Sequence, residues 1–159
     1  AALNIAKYYK RKKGKQILTD YASELPFLMI VRDQLVQVFL NLILNAMDAT
    51  EEGGVITIRT SREVDRIRID VMDDGLGIPN PCHERIFQPY FTTKETGTGL
   101  GLFVCRNIVE QNGGHIELTG TSPSGTTFTV WLAAGMDPIP PEDSVLEIAP
   151  SVTIEFTAE

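Results

Sequence analysis

The chain has 159 residues, 43% of them hydrophobic and 22% charged, which suits one globular domain with a substantial core and requires no second one. Its formal net charge of -7 excludes general nucleic-acid binding, which rests on basic surface neutralising phosphates, while leaving room for a locally basic anion site. Cys82 and Cys105 are too few for a disulfide framework and form no CxxC pair, so they read as reduced thiols with no assigned chemistry. The longest apolar stretch, LVQVFLNLILNAM, is interrupted by Gln37, Asn41 and Asn45 and falls short of the roughly 20 residues that span a bilayer. No signal-peptide pattern is read either.

In chain order, residues 1–15 end in the basic run KYYKRKKGK, whose plainer reading is a solvated segment and whose alternative is a membrane or partner patch. Asp33 to Thr50 reads as a helix closed by Gly53 and Gly54. VITIRT (55–60) and RIRIDVMD (66–73) alternate with period two across a short polar loop and predict an antiparallel hairpin. A glycine-rich stretch follows. GLFVCRNIVEQNGG (101–114) reads as a second helix stopped by glycine, and HIELTG and TTFTVWLA read as closing strands. Residues 135–159 are rich in proline and acid, as in a linker or loosely docked tail, although VTIEF offers an edge strand. These elements predict a helical layer on one face of a mixed or antiparallel sheet.

The first helix carries an unusual polar stripe. At about 100° per residue, Gln34, Gln37, Asn41, Asn45 and Asp48 fall within an arc of roughly 80°. Leu35, Val38, Phe39, Leu42, Ile43 and Met47 cover the rest. An ordinary solvated helix face would be broad and rich in Lys and Glu. The stripe fits better as one wall of a cavity holding something polar, and asparagine carbonyls are neutral oxygen donors suited to magnesium that also takes phosphate oxygens.

VMDDGLGIP (71–79) ends a strand with a carboxylate and turns through Gly75, Gly77 and Pro79. Glycine there lets backbone approach a ligand closely. A strand-end carboxylate suits the exocyclic amine of adenine, but a plain turn would look similar. TGTGLGLFV then places Gly97, Gly99 and Gly101 at a helix start, where backbone N–H groups and the helix dipole favour phosphate. It is neither a P-loop nor a Rossmann fingerprint, since no Gly-Lys-Ser/Thr follows, Leu102 replaces the last glycine and no strand precedes. A flexible linker is the poorer alternative.

In the order LVQVFLNLILNAMDAT, DVMDDGLGIP, IFQPYFTTK, GTGLGLFVCRNIV and SGTTFTVWL, residues 16–134 resemble the ATP-binding catalytic domain of sensor histidine kinases in the GHKL superfamily. FQPYFTTKETGTGLGL resembles the short-lid branch of nitrogen-regulation kinases. The resemblance implies an α/β (α+β) two-layer sandwich of Bergerat type, with about three helices on one face of a mixed, mainly antiparallel sheet. It implies ATP and Mg2+ as cofactors, with Asn41 and Asn45 holding the metal and phosphates and Asp48 lining the same wall. Asp73 would bind adenine N6, and Gly75, Gly77, Ile78 and Thr126 would shape the base pocket. Phe87 and Phe91 would anchor the lid, with core packing an equal alternative. Lys94 would reach the terminal phosphates, and the loop from Thr96 through Gly97, Thr98, Gly99, Leu100 and Gly101 to Leu102 would wrap them.

The implied reaction is transfer of the ATP γ-phosphoryl group to a histidine on a separate dimerisation domain of the same parent, which then serves a response regulator. Residues 1–15 would lead from that domain. His83 and His115, the two histidines, read as surface or structural residues. No contact with nucleic acid or directly with a membrane is implied, the isolated domain would be a monomer, and the setting would be cytoplasmic, with a parent that the inner membrane could anchor. The competing classes are a GHKL-type ATPase and an inactive nucleotide-sensing module. The ATPases carry a water-activating glutamate four residues before the metal-binding asparagine, where this chain has Asn41.

Overall fold

A computed structural model describes residues 14–95 and 97–135. Its elements are β1 (Gln16–Asp20), α1 (Arg32–Ala49), β2 (Val55–Arg62), β3 (Arg66–Asp73), a one-turn 3-10 helix (Asn80–Cys82), α2 (Gly101–Gln111), β4 (His115–Ser122) and β5 (Gly125–Ala133). The strands form one sheet in the order β1-β2-β3-β5-β4. β1 runs parallel to β2, with α1 as the crossover that parallel neighbours require, and the other pairs are antiparallel. The sheet is therefore mixed and mainly antiparallel, as the sequence predicts. Two α-helices and the 3-10 turn lie among the described residues, and a third α-helix does not. The basic segment up to residue 13 and the VTIEF segment fall outside them.

Period-two alternation puts one row of each strand under the helices. Ile56 and Ile58 of β2, Ile67, Ile69 and Val71 of β3, Ile116 of β4, and Phe128, Val130 and Leu132 of β5 are all buried. They meet Val38, Leu42, Ile43, Ala46 and Met47 of α1 and Cys105, Ile108 and Val109 of α2 in one hydrophobic cluster. Truncating a large member of such a core to alanine costs about 2–5 kcal/mol.

The helix ends are specified locally. α2 closes in a Schellman turn: Asn112 is the C-cap, Gly113 takes φ +70°, and Gly114 N–H donates to the Val109 carbonyl at 2.9 Å. α1 ends differently from the glycine stop the sequence suggests. Thr50 is its C-cap, and the Lys15 ammonium donates to the Met47 and Thr50 carbonyls and, at 2.9 Å, to Thr50 Oγ1. Lys15 is only 3% exposed, so the last member of the basic run is a buried cation at a helix C-terminus and not part of a solvated segment.

No helix among the described residues is long and apolar enough to cross a membrane. Cys82 and Cys105 are free thiols. Cys105 is buried, which pushes its thiol up to about 12.

Candidate functional site

The inward rows of β3 and β5 change character at one end. In β3 the row runs Ile67, Ile69, Val71 and then Asp73; in β5 it runs Leu132, Val130, Phe128 and then Thr126. Asp73 and Thr126 are cross-strand partners, so a carboxylate and a hydroxyl replace aliphatic side chains at the same edge of the core. The last half of α1 passes above this edge. Its polar stripe supplies Asn41, Asn45 and Asp48 to a cavity of about 480 Å³ that Asp73 and Thr126 also line.

The segment after β3 closes one side. Asp73 Oδ1 accepts the Gly75 N–H at 2.9 Å, while its neighbour Asp74 turns away and accepts the Val55 N–H at 2.9 Å. Two adjacent aspartates thus divide the work: Asp74 ties the turn to β2 and Asp73 faces the cavity. Burial raises the Asp73 carboxyl above its ordinary value; the Gly75 and Thr126 backbone N–H groups oppose that shift and the Asp74 charge adds to it. Gly77 has φ +73°, and a Cβ there would lie 2.0 Å from the Ser122 carbonyl oxygen. Only glycine allows this close crossing.

The opposite side is a strap. Phe91, Thr92, Thr93, Lys94, Gly97, Thr98 and Gly99 line the cavity before α2 begins at Gly101. Gly99, at φ +68°, packs backbone to backbone on Tyr90, itself at φ +64°, and a Cβ on Gly99 would lie 2.4 Å from the Tyr90 carbonyl carbon. Phe91 carries the Arg85 guanidinium 4.5 Å above its ring. From the strap Lys94 Nζ reaches α1, donating to Asn45 Oδ1 and Asp48 Oδ2, each at 2.9 Å. Asn41 Nδ2 donates to the Gly101 carbonyl at 3.3 Å and ties α1 to the first turn of α2.

Fourteen residues given a role in the sequence line this one cavity: Asn41, Asn45, Asp48, Asp73, Gly77, Ile78, Phe91, Lys94, Gly97, Thr98, Gly99, Gly101, Leu102 and Thr126. Gly75 stands immediately behind the lining, bonded to Asp73. Leu100 is the N-cap residue of α2 and outside the lining, and Thr96 lies outside the described residues. Phe87 lies in the core and not in the lid: it is 6% exposed, edge-on to Phe128 at 6.1 Å and covered by Arg106 at 4.2 Å. Phe91 does face the cavity.

The lining also includes Leu44, Ala49, Ile86, Thr92, Thr93 and Phe128, which sequence reasoning did not single out. Leu44 and Ala49 follow Asn41, Asn45 and Asp48 around the helix and were accessible from its period. Ile86 and Phe128 carry no such signal, because an apolar pocket floor reads like any core. Another cavity, of about 330 Å³, lies by the first half of α1 between Tyr21, Leu25, Phe39 and Ile69. Its lining is almost wholly apolar and offers nothing to orient a charged ligand.

Both histidines are held locally. His83 Nε2 donates to the Ile78 carbonyl at 2.7 Å, and His115 stacks on Trp131 at 5.8 Å. Among the described residues no group of three His, Cys, Asp or Glu side chains forms a metal cluster.

The chain belongs to the family described as histidine kinase-, DNA gyrase B-, and HSP90-like ATPases, which matches residues 30–136. Within that family its similarity is to sensor histidine kinases. Over 108 residues it is 48% identical to sensor histidine kinase ZraS of Escherichia coli K12, an overlap of 68% of this chain and 23% of that protein. Over 117 residues it is 39% identical to sporulation kinase A of Bacillus subtilis, covering 74% of this chain and 19% of that one. The nucleotide-free catalytic domain of histidine kinase ThkA superposes with a TM-score of 0.76 at 33% identity, covering 84% of this chain and 88% of that one. The chain thus spans less than a quarter of the length of these two curated relatives, and most of the length of that catalytic domain.

Proposed function

We propose that the chain binds ATP with Mg2+ in the 480 Å³ cavity and transfers the γ-phosphoryl group to a histidine on the dimerisation domain of its parent protein. One observation carries this reading. A single cavity has a buried-edge carboxylate, Asp73, on one wall and a cluster of Asn45, Asp48 and Lys94 on another. The size suits a nucleotide-sized ligand.

Asp73 accepts the adenine N6 amine, Gly77 and Ile78 press on the base, and Thr126 supplies a hydroxyl beside it. Lys94 donates to the terminal phosphates, and the backbone of Gly97, Thr98, Gly99 and Gly101 lies against the phosphate chain. The donor set fits magnesium: Asn41 and Asn45 present neutral amide oxygens on one cavity wall, and Asn45 Oδ1 already accepts from a positive charge at 2.9 Å. When bound, the metal neutralises phosphate charge, while the chain itself positions the reactants.

Hydrolysis is not favoured. The carboxylates that line the cavity are Asp48, three residues after Asn45, and Asp73, bonded to Gly75, and neither stands four residues before Asn45 where an ATPase carries its base. Asn41, in the position where an ATPase needs its base, offers an amide that is already donating to Gly101. His83 and His115 are held by Ile78 and Trp131, which supports an acceptor histidine elsewhere in the parent, read in turn by a response regulator. A cytoplasmic setting follows from the use of ATP.

The test is phosphotransfer in trans. The chain, the parent's histidine-bearing hairpin and γ-labelled ATP with Mg2+ should yield label on the hairpin that is acid-labile and alkali-stable, as a phosphohistidine is. An unlabelled hairpin alongside saturable ATP binding would favour a nucleotide-sensing module.

A further inference from the structure

The Lys94 ammonium and a metal ion would compete for Asn45. Lys94 Nζ sits 2.9 Å from Asn45 Oδ1 and 2.9 Å from Asp48 Oδ2, so a strap residue already places a cation against the Asn45 oxygen that suits magnesium. A divalent ion held by Asn45 would need the same side-chain oxygen to which the ammonium now donates. Two like charges so close repel strongly in a partly enclosed site. The strap is otherwise pinned at its neck, where Tyr90 and Gly99 meet backbone to backbone. Its contact with α1 through Lys94 therefore fixes the arm between neck and helix.

We propose that Asp48 is a positioning residue for Lys94: it parks the ammonium beside Asn45, latching the strap to α1, and releases it to the phosphates when metal and nucleotide load. The latch stands on the observed pair. The release rests on the ATP reading above. Asp48 then contributes to strap order only before loading, whereas Lys94 contributes both before and after. This distinguishes Asp48 from a simple member of the nucleotide wall.

The test is hydrogen exchange at the backbone amides of Thr92, Thr93, Lys94 and Gly97 in the parent chain, Asp48→Asn, Lys94→Met and the double variant. Each is measured without ligand and with saturating ATP and Mg2+. Without ligand, each single substitution should speed exchange about two- to fivefold, the range expected for a half-exposed ion pair, and the double should be no faster than either. With ATP and Mg2+, Asp48→Asn should match the parent chain while Lys94→Met stays faster.

Additive effects without ligand would overturn the latch. An Asp48→Asn effect that persists at full loading would overturn the release. If ATP and Mg2+ leave exchange in the parent chain unchanged, the ATP reading fails and the release with it, while non-additivity in the ligand-free proteins still establishes the latch.

Discussion

Asp73 and Thr126 face each other across the β3–β5 ladder, at the one end where both inward rows turn from aliphatic to polar. That pairing makes the edge of the core into the wall of a site. It also puts the carboxylate where burial works against its charge.

Asp73→Asn should therefore have opposite effects on binding and stability. The amide keeps an oxygen for the Gly75 N–H but presents adenine with a weaker and ambiguous partner. Loss of a charged hydrogen bond predicts an affinity for ATP lower by about 10- to 100-fold in a calorimetric titration. Because the folded-state carboxyl is raised above its ordinary value, the native chain binds more protons than the unfolded chain between the two values. Stability at neutral pH is thus reduced by this group and recovers as pH falls through the raised value. The variant should melt at a higher temperature near pH 7 and show a smaller gain on acidification. Undiminished ATP affinity would refute the base-pocket assignment.

Asn45→Ala should abolish the effect of magnesium on nucleotide affinity while the metal-free affinity changes little. Titrations with ATP in the presence of Mg2+ or of a chelator measure both. A metal effect of the same size in the variant would show that the α1 stripe does not hold the ion.

Lys15→Met should destabilise the fold without touching the site. It removes the donor that the Met47 and Thr50 carbonyls share; Met47 keeps the Thr50 hydroxyl, but the Thr50 carbonyl loses this partner, and leaving a buried acceptor unpaired costs about 1–3 kcal/mol. Urea unfolding should report that loss. Full stability would mean that the end of α1 finds another partner.

The two phenylalanines separate core from strap. Phe87→Ala should cost about 3–5 kcal/mol of stability, as expected for a buried aromatic against Phe128 and Arg106. Phe91→Ala should cost less stability and weaken ATP binding, because that ring faces the cavity. Equal losses of stability from both would contradict the division.

What the sequence made legible were features set by local period and turn chemistry. The helix expected from Asp33 to Thr50 runs Arg32–Ala49, and the strand expected at 66–73 is Arg66–Asp73. The polar stripe of α1 also falls where helical geometry puts it, with Asn41, Asn45 and Asp48 on one cavity wall. β1 was not legible. QILTD is five residues long, mostly exposed and at the sheet edge, so it shows no clear alternation, and its parallel pairing depends on the α1 crossover.

Long-range pairings were equally hidden. Nothing local distinguishes Lys15 from the other basic residues around it, yet its ammonium reaches the C-terminal end of α1. Phe87 and Phe91 stand one helical turn apart in number, and only the packed structure sends one to the core and the other to the cavity. The contact from Lys94 to Asn45 spans 49 positions and appears only once the strap folds back.

The most direct test of the whole account is a calorimetric titration of the chain with ATP and Mg2+, left running after saturation so that continuing heat reports turnover. A kinase catalytic domain without its acceptor histidine should show saturable binding and a return to baseline. Steady heat output at saturation would mean sustained hydrolysis, and an ATPase would replace the kinase proposed for this site.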